Sequence, residues 1–246
     1  AKNYPAEIAL KADVKETLRA LVPALASAGG AALLKRVQAG VASLASVNWT
    51  ARRAKLVAEI SKHGDRAPID PDFLTLQIVE AMPDHGIVVD EGLTSSRQML
   101  GLRAHRDRYG YHALASGGIG WALPASVGVS LANPDRPVVC YSGDGSAMYS
   151  IQSLWTAAHH KLPLTFVIAN NGGYRIIKQR LLAFHGDDHF VGMDFVDPKV
   201  EFAELARSLG LEAIRITEAK DLKPALQSAF SRPGAKLIEV LVEGSV

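Results

Sequence analysis

Between Val138 and Asn171 the chain reads VVCYSGDGSAMYSIQSLWTAAHHKLPLTFVIANN. No other stretch constrains the fold as tightly. Val138 to Tyr141 is an apolar run that enters a glycine turn, Gly143-Asp144-Gly145. Residues 149–160 carry helical spacing, with Ile151, Leu154, Trp155 and Ala158 on one side. Residues 164–169 form a second short apolar run that ends at Asn170-Asn171. Two buried strands joined through a helix predict a parallel pair with a right-handed crossover, whose strand ends emerge on one edge. Asp144 and Asn171 lie 27 positions apart in sequence, yet that path sets them side by side. One carboxylate, one amide oxygen and a nearby backbone carbonyl form a hard-oxygen half-shell suited to Mg²⁺, which a diphosphate and water would complete.

The rest of the chain extends this pattern. A capping box at Asp13 and Glu16 opens a helix over 14–28, after a short strand expected at 7–12. Pro23 kinks that helix and Gly29-Gly30 ends it. A second helical stretch covers about 31–63, and Gly64 to Pro68 reads as a linker. Regular β/α alternation follows. Helices are expected at 71–82, 95–102, 119–131, 202–209 and 219–230, and further strands at 87–90, 212–216 and 237–242. This predicts an α/β, doubly wound, mainly parallel sheet with helices on both faces. Residues 1–64 are read as the C-terminal remnant of another domain plus a helical connector, and 65–246 as the sheet domain.

Composition excludes several function classes. With 48% hydrophobic and 21% charged residues in 246, the chain is of ordinary globular type. Its formal net charge of +2 gives no electrostatic footprint for nucleic acid. The single cysteine, Cys140, rules out an intramolecular disulfide framework and fits a cytoplasmic protein. No apolar run is expected to reach membrane-spanning length, so no membrane partner is anticipated.

Gly-Asp-Gly, 24 intervening residues and Asn-Asn resembles the diphosphate-binding motif of thiamine-diphosphate (ThDP) enzymes. The surrounding residues are similar to benzoylformate decarboxylase and its relatives, from about Asp70 to the C-terminus and most densely from Glu91 to Tyr174. The resemblance implies a ThDP-binding fold preceded by the tail of the family's middle domain, with Mg²⁺ as a second cofactor. It implies Asp144, the side chain of Asn171 and the backbone carbonyl of Gly173 as metal ligands. Gly143 and Gly145 would admit the phosphates, with Ser146 at the head of the following helix, where taken alone it reads as an N-cap. Glu91-Gly92-Leu93-Thr94 matches a segment that wraps the diphosphate through backbone amides and a hydroxyl. Thr94 is the expected hydroxyl donor; Leu93 stands where benzoylformate decarboxylase has a hydroxyl. In Ser116-Gly117-Gly118-Ile119-Gly120, the carbonyl of Gly117 would accept a hydrogen bond from the aminopyrimidine. Ile119 would wedge between the two cofactor rings and hold them bent. Tyr149 is expected to reach the diphosphate and Tyr174 to line the same pocket. His112 and Ala113 are further pocket candidates, whereas His159-His160 reads as an exposed helix end.

The resemblance implies decarboxylation of a small 2-oxo acid, with CO₂ lost into the thiazolium electron sink before protonation and aldehyde release. The family's activating glutamate and catalytic histidines belong to an N-terminal pyrimidine-binding (PYR) domain of a partner subunit, which no segment here matches. The working enzyme is therefore expected to be a homodimer or homotetramer, with this chain as one part of the site. An acetolactate-synthase-type carboligase and a non-catalytic cofactor-binding interaction domain are the other two classes. The family's carboligases usually carry methionine at the position of Ile119.

Overall fold

The computed structural model describes residues 4–246. Backbone contacts divide the chain into two compact units, Ala1–Arg52 and Arg53–Val246. In the first, α1 (Val14–Leu44) begins at Asp13, whose side chain accepts the N–H of Glu16 at 3.0 Å as the capping box predicts. Gly30, at φ 52° and ψ −157°, interrupts its helical geometry, because glycine tolerates that region at no steric cost. Residues 7–12 form no strand. A strand exists through its ladder, and among the described residues none pairs with this segment. The helical stretch Val14–Ser61 is long and apolar enough, by length and composition, to cross a membrane. That corrects the expectation drawn from apolar run length. No residue of α1 is buried, and its apolar side chains lie all round it, as in a helix that needs cover on every side.

α2 (Trp49–Ser61) carries the unit boundary. The division falls before residue 65 because Leu56, Val57 and Ile60 pack against Leu76 and Leu102. Thereafter the chain runs α3 (Pro71–Ala81), β1 (Ile87–Glu91), α4 (Met99–Leu102), β2 (Tyr111–Ala113), α5 (Ala122–Ala132), β3 (Val138–Gly143), α6 (Asp144–Ala147) and α7 (Ser153–His159). It continues with β4 (Leu164–Asn170), α8 (Arg175–His185), α9 (Phe202–Ser208), β5 (Glu212–Ile216), α10 (Leu222–Ser231) and β6 (Lys236–Leu241).

The six strands form one all-parallel sheet in the order β2-β1-β3-β4-β6-β5. The sheet has two apolar faces because β1, β3 and β4 carry near-continuous apolar runs up to their C-terminal ends, where the polar residues gather. Ile87, Val89, Val138, Cys140, Leu164, Phe166 and Ile168 face α5, α7 and α9. The alternate residues Val88, Val139, Tyr141, Val167 and Ala169 face α3 and α10. This is the doubly wound arrangement the sequence predicts. Trp155 is not part of the core: it is 55% exposed and stacks on His159, while Leu154 and Ala157 supply the buried side of α7. The chain leaves β1 for β2 on one side and takes β3 on the other, so the winding reverses between β1 and β3. Open α/β sheets bind their ligands beyond the strand ends at such a reversal.

Candidate active site

The loops after β1, β3 and β4 converge at that reversal, around a pocket open to solvent. Leu93 and Thr94 line it from the first loop, Gly143 to Ser146 from the second, and Asn171, Gly173 and Tyr174 from the third. Ile119 reaches it from the segment before α5. Ten of the twelve residues singled out in the sequence thus line one cavity. Gly117 and Tyr149 stand outside its lining, and Tyr149 is 57% exposed.

Asp144 forms the floor and is 1% exposed. Its Oδ2 accepts the N–H groups of Gly172 (2.8 Å) and Gly173 (3.0 Å), and its Oδ1 accepts that of Gly145 (2.9 Å). Burial pushes the carboxyl up to about 6, against the three backbone N–H bonds that favour the anion. A carboxylate oxygen has two acceptor sites. Oδ2 is therefore fully engaged, while Oδ1 keeps one lone pair. The Gly173 carbonyl accepts the Arg175 N–H at 3.0 Å and keeps its other lone pair. With the Asn171 amide, these oxygens form a donor set of the hard type that Mg²⁺ prefers. Among the described residues no group of three or more His, Cys, Asp or Glu side chains gathers as an alternative metal site.

The glycines matter here through close approach. A Cβ on Gly145 would lie 2.7 Å from the Tyr174 ring, and one on Gly173 would lie 2.3 Å from the Met193 carbonyl oxygen. The Met193 segment braces the third loop through Tyr174 N–H to Met193 O (2.9 Å) and Phe195 N–H to Gly172 O (2.8 Å). The Phe195 ring meets Tyr174 edge-on at 4.8 Å. Ser146 is buried inside the one-turn helix α6, whose N-cap is Gly143. The N-cap reading of Ser146 is therefore corrected: the helix begins two residues earlier, at Asp144.

The first loop is built on two buried acids. Asp90 accepts the Gly92 N–H (2.9 Å) and the Tyr111 hydroxyl (2.9 Å), and burial raises its carboxyl. Between them the loop turns through Leu93 at φ 48°, a left-handed conformation that costs a non-glycine residue about 1–3 kcal/mol and persists where neighbours enforce it. Glu91, 1% exposed, accepts the N–H groups of Gly120 and Ala122, both at 2.7 Å. This clamp joins the end of β1 to the start of α5 and sets where Ile119 projects. The sequence placed Glu91 in the wrapping segment without recognising this role. His112 is half-buried and Ala113 exposed on the edge strand β2, and neither lines the pocket. His159 and His160 are exposed, as expected.

Gly92, from the expected wrapping segment, also lines the cavity, and sequence reasoning passed over Arg175, Ile176 and Ile177, which line it too. Arg175 opens α8 directly after Tyr174 and brings a cation to the pocket wall. A basic residue adjoining the asparagine loop was the available signal.

Against known proteins, residues 94–240 match the family described as "Thiamine pyrophosphate enzyme, C-terminal TPP binding domain". The chain is 33% identical over 174 residues to benzoylformate decarboxylase of Pseudomonas aeruginosa, covering 70% of this chain and 32% of that protein. It is 28% identical over 241 residues to the acetolactate synthase isozyme 1 large subunit of Escherichia coli, covering 96% of this chain and 39% of the relative. Among solved structures, the ThDP-dependent 4-hydroxybenzoylformate decarboxylase of Rhodococcus jostii RHA1 superposes with a TM-score of 0.69 at 34% identity. That match covers 73% of this chain and 34% of the other. The chain spans roughly a third of the length of these relatives. It belongs to the thiamine pyrophosphate enzymes and contains their C-terminal cofactor-binding domain.

Proposed function

We propose that this chain is the diphosphate-binding part of a ThDP- and Mg²⁺-dependent 2-oxo-acid decarboxylase of the benzoylformate decarboxylase type. The observation that carries the reading is Asp144: a buried carboxylate fixed by three backbone amides, with one lone pair left on the oxygen that can meet a metal. Asn171 and the Gly173 carbonyl complete the protein's share of the metal shell, and Arg175 at the pocket wall balances phosphate charge. Thr94 offers a hydroxyl from the opposite wall. Ile119, held in place by the Glu91 clamp, presents an apolar surface against which two rings can be kept bent. Bound there, ThDP supplies a nucleophilic thiazolium carbon and an electron sink for the departing carboxylate. The contribution of these residues is orientation: holding reacting groups in an attack-ready geometry is worth several powers of ten in rate.

The remaining groups, including the acid that meets the aminopyrimidine, belong in this reading to the PYR domain of a partner subunit in a homodimer or homotetramer. Isoleucine at position 119 favours decarboxylation over acetolactate-type carboligation. The similarity to acetolactate synthase keeps carboligation as the second reading. The full-length enzyme, loaded with ThDP and Mg²⁺ and offered aromatic and aliphatic 2-oxo acids, should release aldehyde and CO₂ in equal amounts. Dominant formation of acetohydroxy acids would establish the carboligase instead. Tight cofactor binding without turnover of any 2-oxo acid would favour an interaction domain.

A further inference from the structure

Behind the metal-site loop, on the same edge of the sheet, lies a fully buried carboxylate to which neither the sequence pattern nor the reaction assigns a role. Glu239 sits on β6, is 0% exposed, and stands in register with Ile168 of β4 on one side and Arg215 of β5 on the other. Side chains two residues apart on a strand share a face, so Glu239 and Asn170 are diagonal neighbours on one face of the sheet. Asn170 Nδ2 donates to Glu239 Oε1 at 2.7 Å, and Arg215 donates to the same oxygen at 3.1 Å. Oε2 accepts the N–H of Ala203, in the first turn of α9, at 3.1 Å.

The far end of the Asn170 amide makes the connection to the site. Its Oδ1 accepts the Gly172 N–H at 3.0 Å, and that same N–H donates to Asp144 Oδ2 at 2.8 Å. An amide has a donor end and an acceptor end, and a carboxylate can only accept. Glu239 therefore decides which way Asn170 faces. Reversed, the amide would point its oxygen at the carboxylate and its NH₂ at the Gly172 N–H, and both contacts would repel. We infer that Glu239 is a positioning residue for the metal site: through the fixed orientation of Asn170 it holds the Gly172 N–H against Asp144 and so sets the loop that carries Asn171 and Gly173.

The inference rests on the reading of Asp144 as a metal ligand, and the variants separate the two claims. In the full-length enzyme, Mg²⁺-dependent ThDP binding is measured by calorimetry beside kcat at saturating Mg²⁺ for Glu239→Gln, Asn170→Ala, the double variant and Asp144→Ala. A glutamine at 239 cannot accept from both Asn170 and Ala203 while also facing Arg215. Outer partners of metal ligands typically contribute 10–100-fold to affinity. Glu239→Gln should therefore raise the Mg²⁺ concentration for half-saturation roughly tenfold, with kcat at saturation retained. Because Glu239 acts through Asn170, the double variant should bind no worse than Asn170→Ala alone. Arg215→Gln leaves the Asn170–Glu239 bond in place and should lower the melting temperature without moving the Mg²⁺ requirement. Should Glu239→Gln not fold, Asn170→Ala and Arg215→Gln still decide the matter: an unchanged Mg²⁺ requirement in Asn170→Ala, or a shifted one in Arg215→Gln, overturns the inference. Equal and additive losses from Glu239→Gln and Asn170→Ala would overturn it as well. Retained Mg²⁺-dependent binding in Asp144→Ala would instead overturn the metal-site reading beneath it.

Discussion

The two sides of the pocket are built differently. Around Asp144 the backbone is pinned: the carboxylate takes three amides, Tyr174 fills the space over Gly145, and Met193 closes on Gly173. Around Gly117 and Gly118 it is open. A Cβ built on either would meet no heavy atom within 4 Å, as is also true at Gly143 and Gly172, but among the described residues no hydrogen bond holds the backbone of Gly117 or Gly118. Only the end of that segment is fixed, where Glu91 accepts the Gly120 and Ala122 amides. A finished active site excludes water from both sides. In the proposed reading, the pinned side is the one that holds metal and diphosphate, and the open side is the one that takes its walls from the PYR domain of a partner subunit.

The largest effect that could break this comparison is activity of the isolated chain. Residues 1–246 with ThDP and Mg²⁺ should turn over no 2-oxo acid above the cofactor's own background, measured by CO₂ release. Turnover by a monomer of this polypeptide would mean that the open side is already sufficient. Next comes a glycine pair. Gly173→Ala sets a Cβ against a backbone oxygen, a clash of about 1–3 kcal/mol or more, and should abolish Mg²⁺-dependent ThDP binding. Gly118→Ala should change stability by no more than about 0.5 kcal/mol. Thermal melts and cofactor titrations on the two variants would sharpen the contrast, or erase it if they respond alike.

Ile119→Ala tests the junction of the two sides. Ile119 is only half-buried, so its truncation should leave the fold intact while kcat drops by roughly 10–100-fold and ThDP affinity changes little. A large drop in melting temperature with kcat preserved would identify Ile119 as packing rather than wedge. The last effect is on pH. Metal-free, Asp144 titrates near 6 instead of its ordinary 3.8 because of burial. A raised carboxyl stabilises the fold in its protonated form, so this contribution of ~3 kcal/mol is present at low pH and is lost as pH rises through about 6. Mg²⁺ needs the anion. Its half-saturation concentration should be flat above pH 7 and rise about tenfold per unit below 6, whereas a pH-independent value between 5 and 7 would contradict the assignment.

The legible parts of this fold were those that declare themselves locally. β1, β3 and β4 are largely apolar runs buried on both faces, and Asp13 caps its helix in the expected way. The edge strand β2 was missed: it has three residues, centred on a half-buried histidine, and makes too short a run to show a period. α8 was missed because its moderately polar sequence buries no residue and follows Tyr174 without a capping side chain. The site was legible where the glycine and asparagine spacing marks it. It was not legible at Glu91 and Glu239, because a glutamate within an apolar strand looks like any solvent-facing residue. Only tertiary contacts show that both are buried acceptors, for amides distant in sequence.

The central claim is that Asp144 holds the metal and, through it, the cofactor's diphosphate. Calorimetric titration of the full-length enzyme with ThDP, with and without Mg²⁺, tests it most directly. The account predicts binding that requires Mg²⁺ in the native protein and vanishes in Asp144→Ala, with an unchanged circular dichroism spectrum. Unaltered, Mg²⁺-dependent affinity in Asp144→Ala would contradict it.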